Sequence, residues 1–344
     1  MWKILIRNRL REKARYNSDI AISDIVSASS ILFSVFSRYG DSIIAYKVIN
    51  EFIARHPGKR YIVITSNQTL PYANAIINGN VEIQSVNIRK NPVKFFKIVA
   101  MLKKTKIDLA FNPWSHGEDS EFFMTFAKKY LFYKKYTGHP KEYNLYARVR
   151  EYLLLGSGGS KIRNRSLEGV NNILISPFST DITKSLNSED LNALIQQVST
   201  RFPDASIIVA SQKNEMVRVN GRIERFIFRK KLDESVKFLA LLKLADLFIG
   251  VDAGPLHLAD AVGVTSIGIF GPTAPETILD SDSGIMPVRH EGLNGCFCFV
   301  RDCRNPVCIH KLFENNFLDR VAVVDPCGKV ALETETCRLS TSSH

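Results

Sequence analysis

The chain has 344 residues, and at about 150 residues per domain this length predicts two domains. Its 45% hydrophobic and 23% charged residues suffice for a sizeable core, which excludes collagen-like, disordered and disulfide-scaffold proteins. The 46 Lys and Arg residues exceed the 34 Asp and Glu residues by 12, and this excess favours an anionic partner such as nucleic acid, lipid phosphate or acidic sugar.

Residues 1–28 are polar and basic, and we predict an extension that packs on the surface or leads into the first strand. Cations interrupt the first residues before any hydrophobic stretch, and no run of 18 apolar residues follows. These features favour a cytoplasmic protein.

From residue 29 onward, apolar bursts alternate with amphipathic stretches, which predicts buried parallel strands separated by helices. Strands are expected at residues 31–36, 61–65, 81–88 and 107–111. Helices are expected up to about residue 56, from residue 92, at 118–136, and from about 142 to 155. Residues 29–156 therefore form the first predicted domain.

The Gly- and Ser-rich stretch 156–160 breaks this pattern, so we place a linker at residues 157–170. The alternation restarts with strands at 173–175, 206–210, 226–228, 247–251 and 265–270 and with helices at 188–200 and 234–244. Residues 171–344 form the second predicted domain. Two such halves predict a bilobal α/β enzyme with a cleft between its lobes, since open α/β sheets bind ligands at the carboxyl ends of their strands.

The most informative stretch is residues 247–273. A buried strand ends in the tight polar turn Asp252–Gly254, and Pro255 can start the following helix. This turn would lie at a helix amino terminus, where free N–H groups and the helix dipole favour phosphate. The structural alternative is that Asp252 only caps the helix and that His257 is a surface or core histidine.

This stretch resembles the donor motif of glycosyltransferase family 9, the ADP-heptose:lipopolysaccharide heptosyltransferases. The residues that carry the resemblance are Asp252, Ala253, Gly254, Pro255, Leu256 and His257, followed by Phe270, Gly271, Pro272 and Thr273. The resemblance implies the GT-B architecture, in which two Rossmann-like α/β domains face a cleft. It also implies inversion at the anomeric carbon, no metal for catalysis, and donor binding by residues 252–257.

The same resemblance implies two catalytic residues. Asp41, in the turn after the first strand, would be the base that takes the proton of the acceptor hydroxyl. Lys184 would stabilise the leaving ADP as negative charge develops on it. The structural alternatives are a helix-capping Asp41 and a solvated Lys184.

Further donor contacts implied by the resemblance are Ser179, Thr180 and Glu215. The first two lie at the end of a loop whose residues 176–179 read Ser-Pro-Phe-Ser where the family has a Pro-Gly-Ala-like sequence, and this departure makes their roles uncertain. Glu215 would bind the ribose hydroxyls, and its alternative is a surface glutamate.

A Cys-rich element occupies residues 296–310. Its four thiols, spaced C-x-C-x4-C-x4-C and followed by His310, are Cys296, Cys298, Cys303 and Cys308. Four soft ligands could enclose a structural Zn or Fe ion, and a family subgroup that glycosylates autotransporter proteins holds iron in a similar element. Reduced packed cysteines and a disulfide are the alternatives.

The excess of positive charge is confined to one half of the chain. Residues 1–156 hold 25 Lys and Arg against 12 Asp and Glu, whereas the remaining residues hold 21 against 22. The resemblance assigns this first half to the acceptor, and its lysines suit an acceptor rich in phosphate and carboxylate at a membrane surface. The lysines concerned are Lys103, Lys104, Lys106, Lys128, Lys129, Lys134, Lys135 and Lys141.

The sequence thus predicts an inverting glycosyltransferase that transfers heptose from ADP-heptose to the lipopolysaccharide core, at the cytoplasmic face of the bacterial inner membrane. Transfer of a hexose or N-acetylhexosamine to the same glycolipid, and heptosylation of a protein, remain alternatives. A non-catalytic nucleotide- or glycan-binding module is a further one. A dinucleotide oxidoreductase is disfavoured because no G-x-G-x-x-G follows the first strand, and no nucleic-acid-binding motif occurs.

Overall fold

A computed structural model describes residues 6–10, 19–87, 90–113, 117–132, 144–156, 167–211, 223–227, 232–290, 303, 307–314 and 317–321. Contacts divide the chain into two compact units. Unit 1 comprises Met1–Gly159 and Arg229–Ala240, and unit 2 comprises Ser160–Phe228 and Leu241–His344. Both contain a parallel sheet with helical crossovers, so the predicted α/β alternation is confirmed.

Unit 1 contains a five-stranded parallel sheet in the order β3-β2-β1-β4-β5. The strands are β1 (Ser30–Val35), β2 (Arg60–Ser66), β3 (Val81–Val86), β4 (Leu109–Phe111) and β5 (Lys129–Leu131). The helices are α1 (Ile22–Ser27), α2 (Tyr39–Arg55), α3 (Leu70–Ile76), α4 (Pro92–Thr105), α5 (Glu118–Met124) and α6 (Leu145–Tyr152). Since parallel crossovers are right-handed, α2 and α3 cover one face of the sheet while α4 and α5 cover the other.

The central strand β1 explains why both faces must be covered, because all six of its residues are buried. On one face, the ring of Phe33 meets that of Phe52 from α2 with a centroid separation of 5.4 Å. On the other face, Leu32 belongs to a core cluster that includes Phe95 of α4 and Phe122 of α5. A strand buried on both sides carries a continuous apolar run, which is why its position could be predicted.

The amino-terminal residues 6–10 are helical and join this second core cluster. Ile6 is 1% exposed and Leu10 is 9% exposed. Between them, Arg9 donates to the hydroxyl and the carbonyl of Thr125 at 2.6 and 3.0 Å. Part of the segment predicted as an extension therefore contributes to the core of unit 1.

The prediction of a single helix over the aromatic-rich residues 118–136 is wrong. Helix α5 ends at Met124, and residues 129–131 form the edge strand β5, which pairs with β4 from Leu109↔Lys129 to Phe111↔Leu131. A three-residue strand is too short to show a twofold hydrophobic pattern, and pairing with β4 decides its conformation.

Unit 2 contains a six-stranded parallel sheet in the order β11-β10-β9-β6-β7-β8. The strands are β6 (Asn172–Ser176), β7 (Ser206–Ser211), β8 (Ile223–Ile227), β9 (Leu247–Val251), β10 (Thr265–Ile269) and β11 (Ile285–Val288). The helices are α7 (Ser188–Arg201), α8 (Leu232–Leu244), where the division between units falls, α9 (Gly254–Ala261), α10 (Pro275–Ile278) and α11 (Val307–His310). Within the described residues, no helix is both long and apolar enough to cross a membrane.

Two adjacent phenylalanines of α4 give a test of this packing. Phe95 is 1% exposed in the core, whereas Phe96 is 44% exposed. We expect Phe95→Ala to lower the free energy of unfolding by about 3–5 kcal/mol, because it leaves a cavity, and Phe96→Ala to change it by less than about 1 kcal/mol. Urea denaturation followed by circular dichroism measures both values, and equal losses would contradict the assignment of the two faces.

Candidate functional site

Three loops meet at one edge of the sheet of unit 2. Strands β6, β9 and β10 are neighbours and run parallel, so the loops that follow them lie side by side at their carboxyl ends. These loops are residues 177–187, 252–254 and 270–274. Ligands of open α/β sheets bind at this kind of edge.

At this edge of the sheet the carboxylate of Asp252 is buried. The residue is 5% exposed, and its Oδ2 is bonded to Nζ of Lys184. The N–H of Asp252 donates to the carbonyl of Ile269 at 3.1 Å, which fixes the turn to the neighbouring strand. A buried carboxylate needs an ionic partner, and Lys184 supplies one while its own side chain keeps 22% exposure. The structure thus brings together two of the residues predicted for the site.

His257 is a buried neighbour of this ion pair. Its Nε2 is 3.9 Å from Oδ1 of Asp252, and the residue is 5% exposed. The N-cap position of α9 is Ala253, which offers no side chain to the first-turn N–H groups, and Asp252 stands one residue earlier. Of the six motif residues, Ala253 and Gly254 are half-buried and the others are buried. The amino end of this helix therefore presents backbone donors at the accessible part of the motif.

Hydrogen bonds within residues 177–187 hold Lys184 in place. The N–H of Ser179 donates to the hydroxyl of Ser185 at 2.9 Å. The Oδ1 atom of Asp181 accepts from the N–H and the hydroxyl of Thr183 at 3.2 and 2.7 Å, and this caps the short 3-10 turn that ends at Lys184. Asp181 and Ser185 were not predicted from the sequence, although an Asp two residues before a Thr is a local signal for such a cap.

The remaining predicted donor contacts differ in their surroundings. The hydroxyl of Ser179 accepts the N–H of Asp181 at 3.2 Å, so it already has a role within the loop. Thr180 is exposed and can turn toward a ligand. Glu215 lies outside the described residues.

Asp41 lies at the corresponding edge of unit 1. It follows β1 and occupies the first turn of α2, where the helix dipole favours a carboxylate. The hydroxyl of the neighbouring Ser42, which is fully buried, donates to the carbonyl of Ser37 at 3.3 Å and closes the turn. Asp41 itself is half-buried and therefore within reach of solvent.

A buried hydroxyl network anchors the same helix to the end of β2. The hydroxyl of Tyr46 is bonded to those of Thr65 and Thr69, the latter at 2.9 Å. Burial raises the pKa of Tyr46 to about 12, and burial likewise raises the pKa of Tyr39 well above its usual range. Both tyrosines therefore stay protonated at neutral pH.

Comparison with known proteins bears on what these residues do. A model of glycosyltransferase family 9 (heptosyltransferase) matches residues 143–306, which include Lys184 and the whole 252–257 motif. This stretch of the chain is similar to that family. The predicted resemblance to the family is thereby confirmed, and so is the predicted glycosyltransferase class of the enzyme. No protein of curated function matches the chain significantly by sequence.

Solved structures show that the fold is also that of this family. The Escherichia coli ADP-heptose lipopolysaccharide heptosyltransferase II matches with a TM-score of 0.61 at 12% identity, over 85% of this chain and 98% of that one. A family 9 glycosyltransferase from Veillonella parvula gives 0.57 at 14% identity, over 85% and 97%. E. coli heptosyltransferase WaaC with ADP gives 0.53 at 16% identity, over 83% and 99%. The predicted fold class, two Rossmann-like α/β domains of the GT-B type, is confirmed.

The Cys-rich element of this glycosyltransferase is described in part. Cys303 and Cys308 are half-buried thiols that form no disulfide, whereas Cys296 and Cys298 lie outside the described residues. Among the residues that are described, no group of three or more His, Cys, Asp or Glu side chains is placed to hold a metal ion.

The end of the Cys-rich element and the residues that follow it dock onto α7. Nδ1 of His310 is 2.5 Å from Oδ2 of Asp190, a residue that is 6% exposed at the start of α7. Further along, the side chain of Gln197 donates to the carbonyl of Phe313 at 3.3 Å and accepts the N–H of Phe317 at 2.8 Å. These contacts hold α11 and the residues after it against α7, and α11 also packs against the loop 270–274.

The contact between α11 and the loop 270–274 is tight at Gly271. A Cβ atom on Gly271 would lie 2.7 Å from Cγ1 of Ile309 and 3.2 Å from Sγ of Cys308. Glycine at this motif position is thus required by the packing of α11 against the loop.

This packing predicts the behaviour of Gly271→Ala. The clash should destabilise the protein by about 1–3 kcal/mol and loosen α11, so that the Cys308 thiol is alkylated faster. Adding Ile309→Ala removes the clashing atoms, and the double variant should lose less stability than the two single changes summed. Strict additivity, measured by thermal or urea unfolding, would contradict the contact.

Proposed function

We propose that this glycosyltransferase is an inverting heptosyltransferase that uses ADP-heptose as donor and the lipopolysaccharide inner core as acceptor. The observation that carries the proposal is the Lys184–Asp252 pair at the carboxyl edge of β6 and β9, beside the amino end of α9. An ammonium group and backbone N–H donors at one edge suit a diphosphate. The structurally similar WaaC was solved with ADP and with an ADP-heptose analogue, which supports the same donor here.

In this proposal Lys184 gains a second partner as the donor binds. The ammonium group has three N–H donors, and the bond to Asp252 uses one, so the others can reach a diphosphate oxygen. Before the donor binds, Asp252 holds the ammonium group of Lys184 at the carboxyl ends of the strands. As the bond between the anomeric carbon and the diphosphate breaks, the electron pair stays on ADP and Lys184 stabilises the added charge.

Asp41 supplies the other half of the proposed reaction. The acceptor oxygen attacks the anomeric carbon from the side opposite to the diphosphate, a new C–O bond forms, and the hydroxyl proton passes to the carboxylate of Asp41. Such general-base catalysis typically contributes 10²–10⁴-fold to the rate. Thr180 and the N–H groups of Ala253 and Gly254 would hold the donor, and we retain Glu215 as a proposed ribose contact.

The acceptor side of the proposal follows from the positive charge of residues 1–156. A lipopolysaccharide inner core is rich in phosphate and carboxylate and is anchored in a membrane. We therefore propose that the enzyme acts as a peripheral protein at the cytoplasmic face of the inner membrane.

The function is tested with purified protein, a panel of nucleotide sugars and truncated lipopolysaccharide acceptors, with product masses as the readout. A heptosyl increment from ADP-heptose is expected. A hexosyl increment from a UDP-sugar would replace the donor in the proposal, and modification of a protein acceptor alone would replace the acceptor.

The role of Asp41 is tested by Asp41→Asn. We expect turnover to fall by at least about 100-fold while ADP binding is retained, because the variant removes the base and leaves unit 2 unchanged. The matched control is Glu189→Gln, which removes an exposed carboxylate from the first turn of α7 and should leave turnover unchanged. Full activity of Asp41→Asn would exclude Asp41 as the base.

For the Cys-rich element we propose a structural Zn or Fe ion, with no part in the chemistry, bound by Cys296, Cys298, Cys303 and Cys308. Reduced thiols at Cys303 and Cys308 fit such a role, since thiolates are the ligands these ions prefer. Protein purified without added metal should contain about one equivalent of Zn or Fe by elemental analysis. Less than about a tenth of an equivalent would contradict the proposal.

A further inference from the structure

Helix α4 carries exposed apolar side chains on its outward face. Its inward residues, Phe95, Ile98 and Leu102, are buried in the core of unit 1. On the outward face, Val93 and Phe96 are 65% and 44% exposed. Apolar side chains on both faces mean that burial in unit 1 alone does not explain the sequence of this helix.

The same outward face continues into a cluster of cations. Lys97 and Lys104 line an open pocket of about 500 Å³ together with Arg60 from the start of β2, and Met101 contributes to its wall. Nη2 of Arg60 is paired with Oε2 of Glu82 at 3.1 Å. In the described part of the chain, neither Lys97 nor Lys104 has a carboxylate partner, so the pocket carries excess positive charge.

This pocket is remote from the proposed base. It lies where β2 begins, whereas Asp41 follows the carboxyl end of β1. Strands of six residues, at about 3.3 Å each, separate the two edges by about 20 Å. The pocket therefore cannot hold the hydroxyl that Asp41 would deprotonate, and its cations need another explanation.

Helix α4 runs along the sheet in the direction opposite to the strands. It starts at the carboxyl edge, where Val93 and Phe96 lie in its first turns, and it ends at the amino edge with the pocket. A flat anionic surface against this helix would contact the apolar residues and the cations at once, and it would also extend toward the edge that carries Asp41.

We propose that the outward face of α4 is a docking surface for an anionic lipid membrane. Val93 and Phe96 enter the boundary between headgroups and acyl chains, and Lys97, Lys104 and Arg60 bind a lipid phosphate. The combination of exposed apolar side chains and flanking lysines on one helix is typical of interfacial membrane helices. The inference rests on the proposed function only in that a lipid-anchored acceptor gives the docking a purpose.

The test is sedimentation of the full chain with vesicles of phosphatidylglycerol and phosphatidylethanolamine, compared with vesicles of phosphatidylcholine alone. We expect binding to the anionic vesicles that falls steeply with salt. The double variant Lys97→Gln/Lys104→Gln should bind about tenfold more weakly or worse, and Phe96→Ser should also weaken binding. ADP binding should be unchanged in these variants, which shows that they are folded.

A second helix provides the matched control. Helix α8 also displays exposed apolar residues, Val236 and Leu244, near two exposed lysines, Lys237 and Lys243. The double variant Lys237→Gln/Lys243→Gln should keep its vesicle affinity within about twofold. If this control releases the protein and the α4 variant does not, the proposed surface is wrong.

Insertion of the side chain at position 96 into the lipid is measured with Phe96→Trp. This variant should bind like the wild type, and its tryptophan fluorescence should shift to the blue with anionic vesicles. No shift, or equal binding to phosphatidylcholine, would overturn the proposal. Binding to an oligonucleotide that is lost in the Lys97→Gln/Lys104→Gln variant, with no vesicle binding by the wild type, would assign the pocket to nucleic acid instead.

These measurements need no sugar transfer, so their outcome is independent of the proposed function. If no heptose is transferred but vesicle binding depends on α4, only the function fails. If transfer occurs, Phe96→Ser should keep its kcat on a delipidated core oligosaccharide and lose activity on vesicle-borne acceptor. Equal loss on both acceptors would contradict docking through α4.

Discussion

The ionic bond between Asp252 and Lys184 constrains most of the structure around the candidate site. A carboxylate at 5% exposure has to be compensated, and Lys184 supplies the compensating charge as long as the loop that carries it keeps this conformation. The bonds among Ser179, Asp181, Thr183 and Ser185 provide that conformation. The parallel register of β6 against β9 then brings the two loops side by side. A site with a preformed cation does not have to order one when an anion binds, which lowers the entropic cost of binding.

The part of the site that the sequence predicted is the part with strong local signals. An apolar strand, a polar turn and a proline-started helix identify residues 247–261, because each element follows from backbone chemistry. The family resemblance added Lys184, but only the fold brings its ammonium to Asp252, 68 residues away. The contact of α11 with Gly271 had no local signal at all, since it depends on where residues 307–310 return in space.

The difference between local sequence signals and long-range contacts also explains which parts of the fold could be predicted. Strand β1 was predictable because both of its faces are buried and its sequence is continuously apolar. The helical residues 6–10 were not assigned to the core, because the cations around Ile6 and Leu10 mask two apolar side chains one turn apart. Strand β5 was missed because its three residues lie in an aromatic-rich stretch, and hydrogen bonding to β4 outweighs the helical pattern.

The described residues of unit 1 show where part of the excess positive charge of the first half lies. Many of its acidic residues are engaged in ion pairs at several places in unit 1. The pairs are Arg7–Glu118, Arg55–Glu51, Arg60–Glu82, Lys128–Asp108, Lys129–Asp24, Arg148–Glu151 and Arg150–Glu51. Some of these pairs alter titration, since a hydrogen bond from Lys128 lowers the pKa of Asp108. Helix α4, by contrast, contains four lysines and no acidic residue. In the described part of unit 1, a group of lysines with no acidic residue on its own helix therefore lies where Val93 and Phe96 are exposed, and neither a soluble surface nor chemistry at Asp41 accounts for that combination.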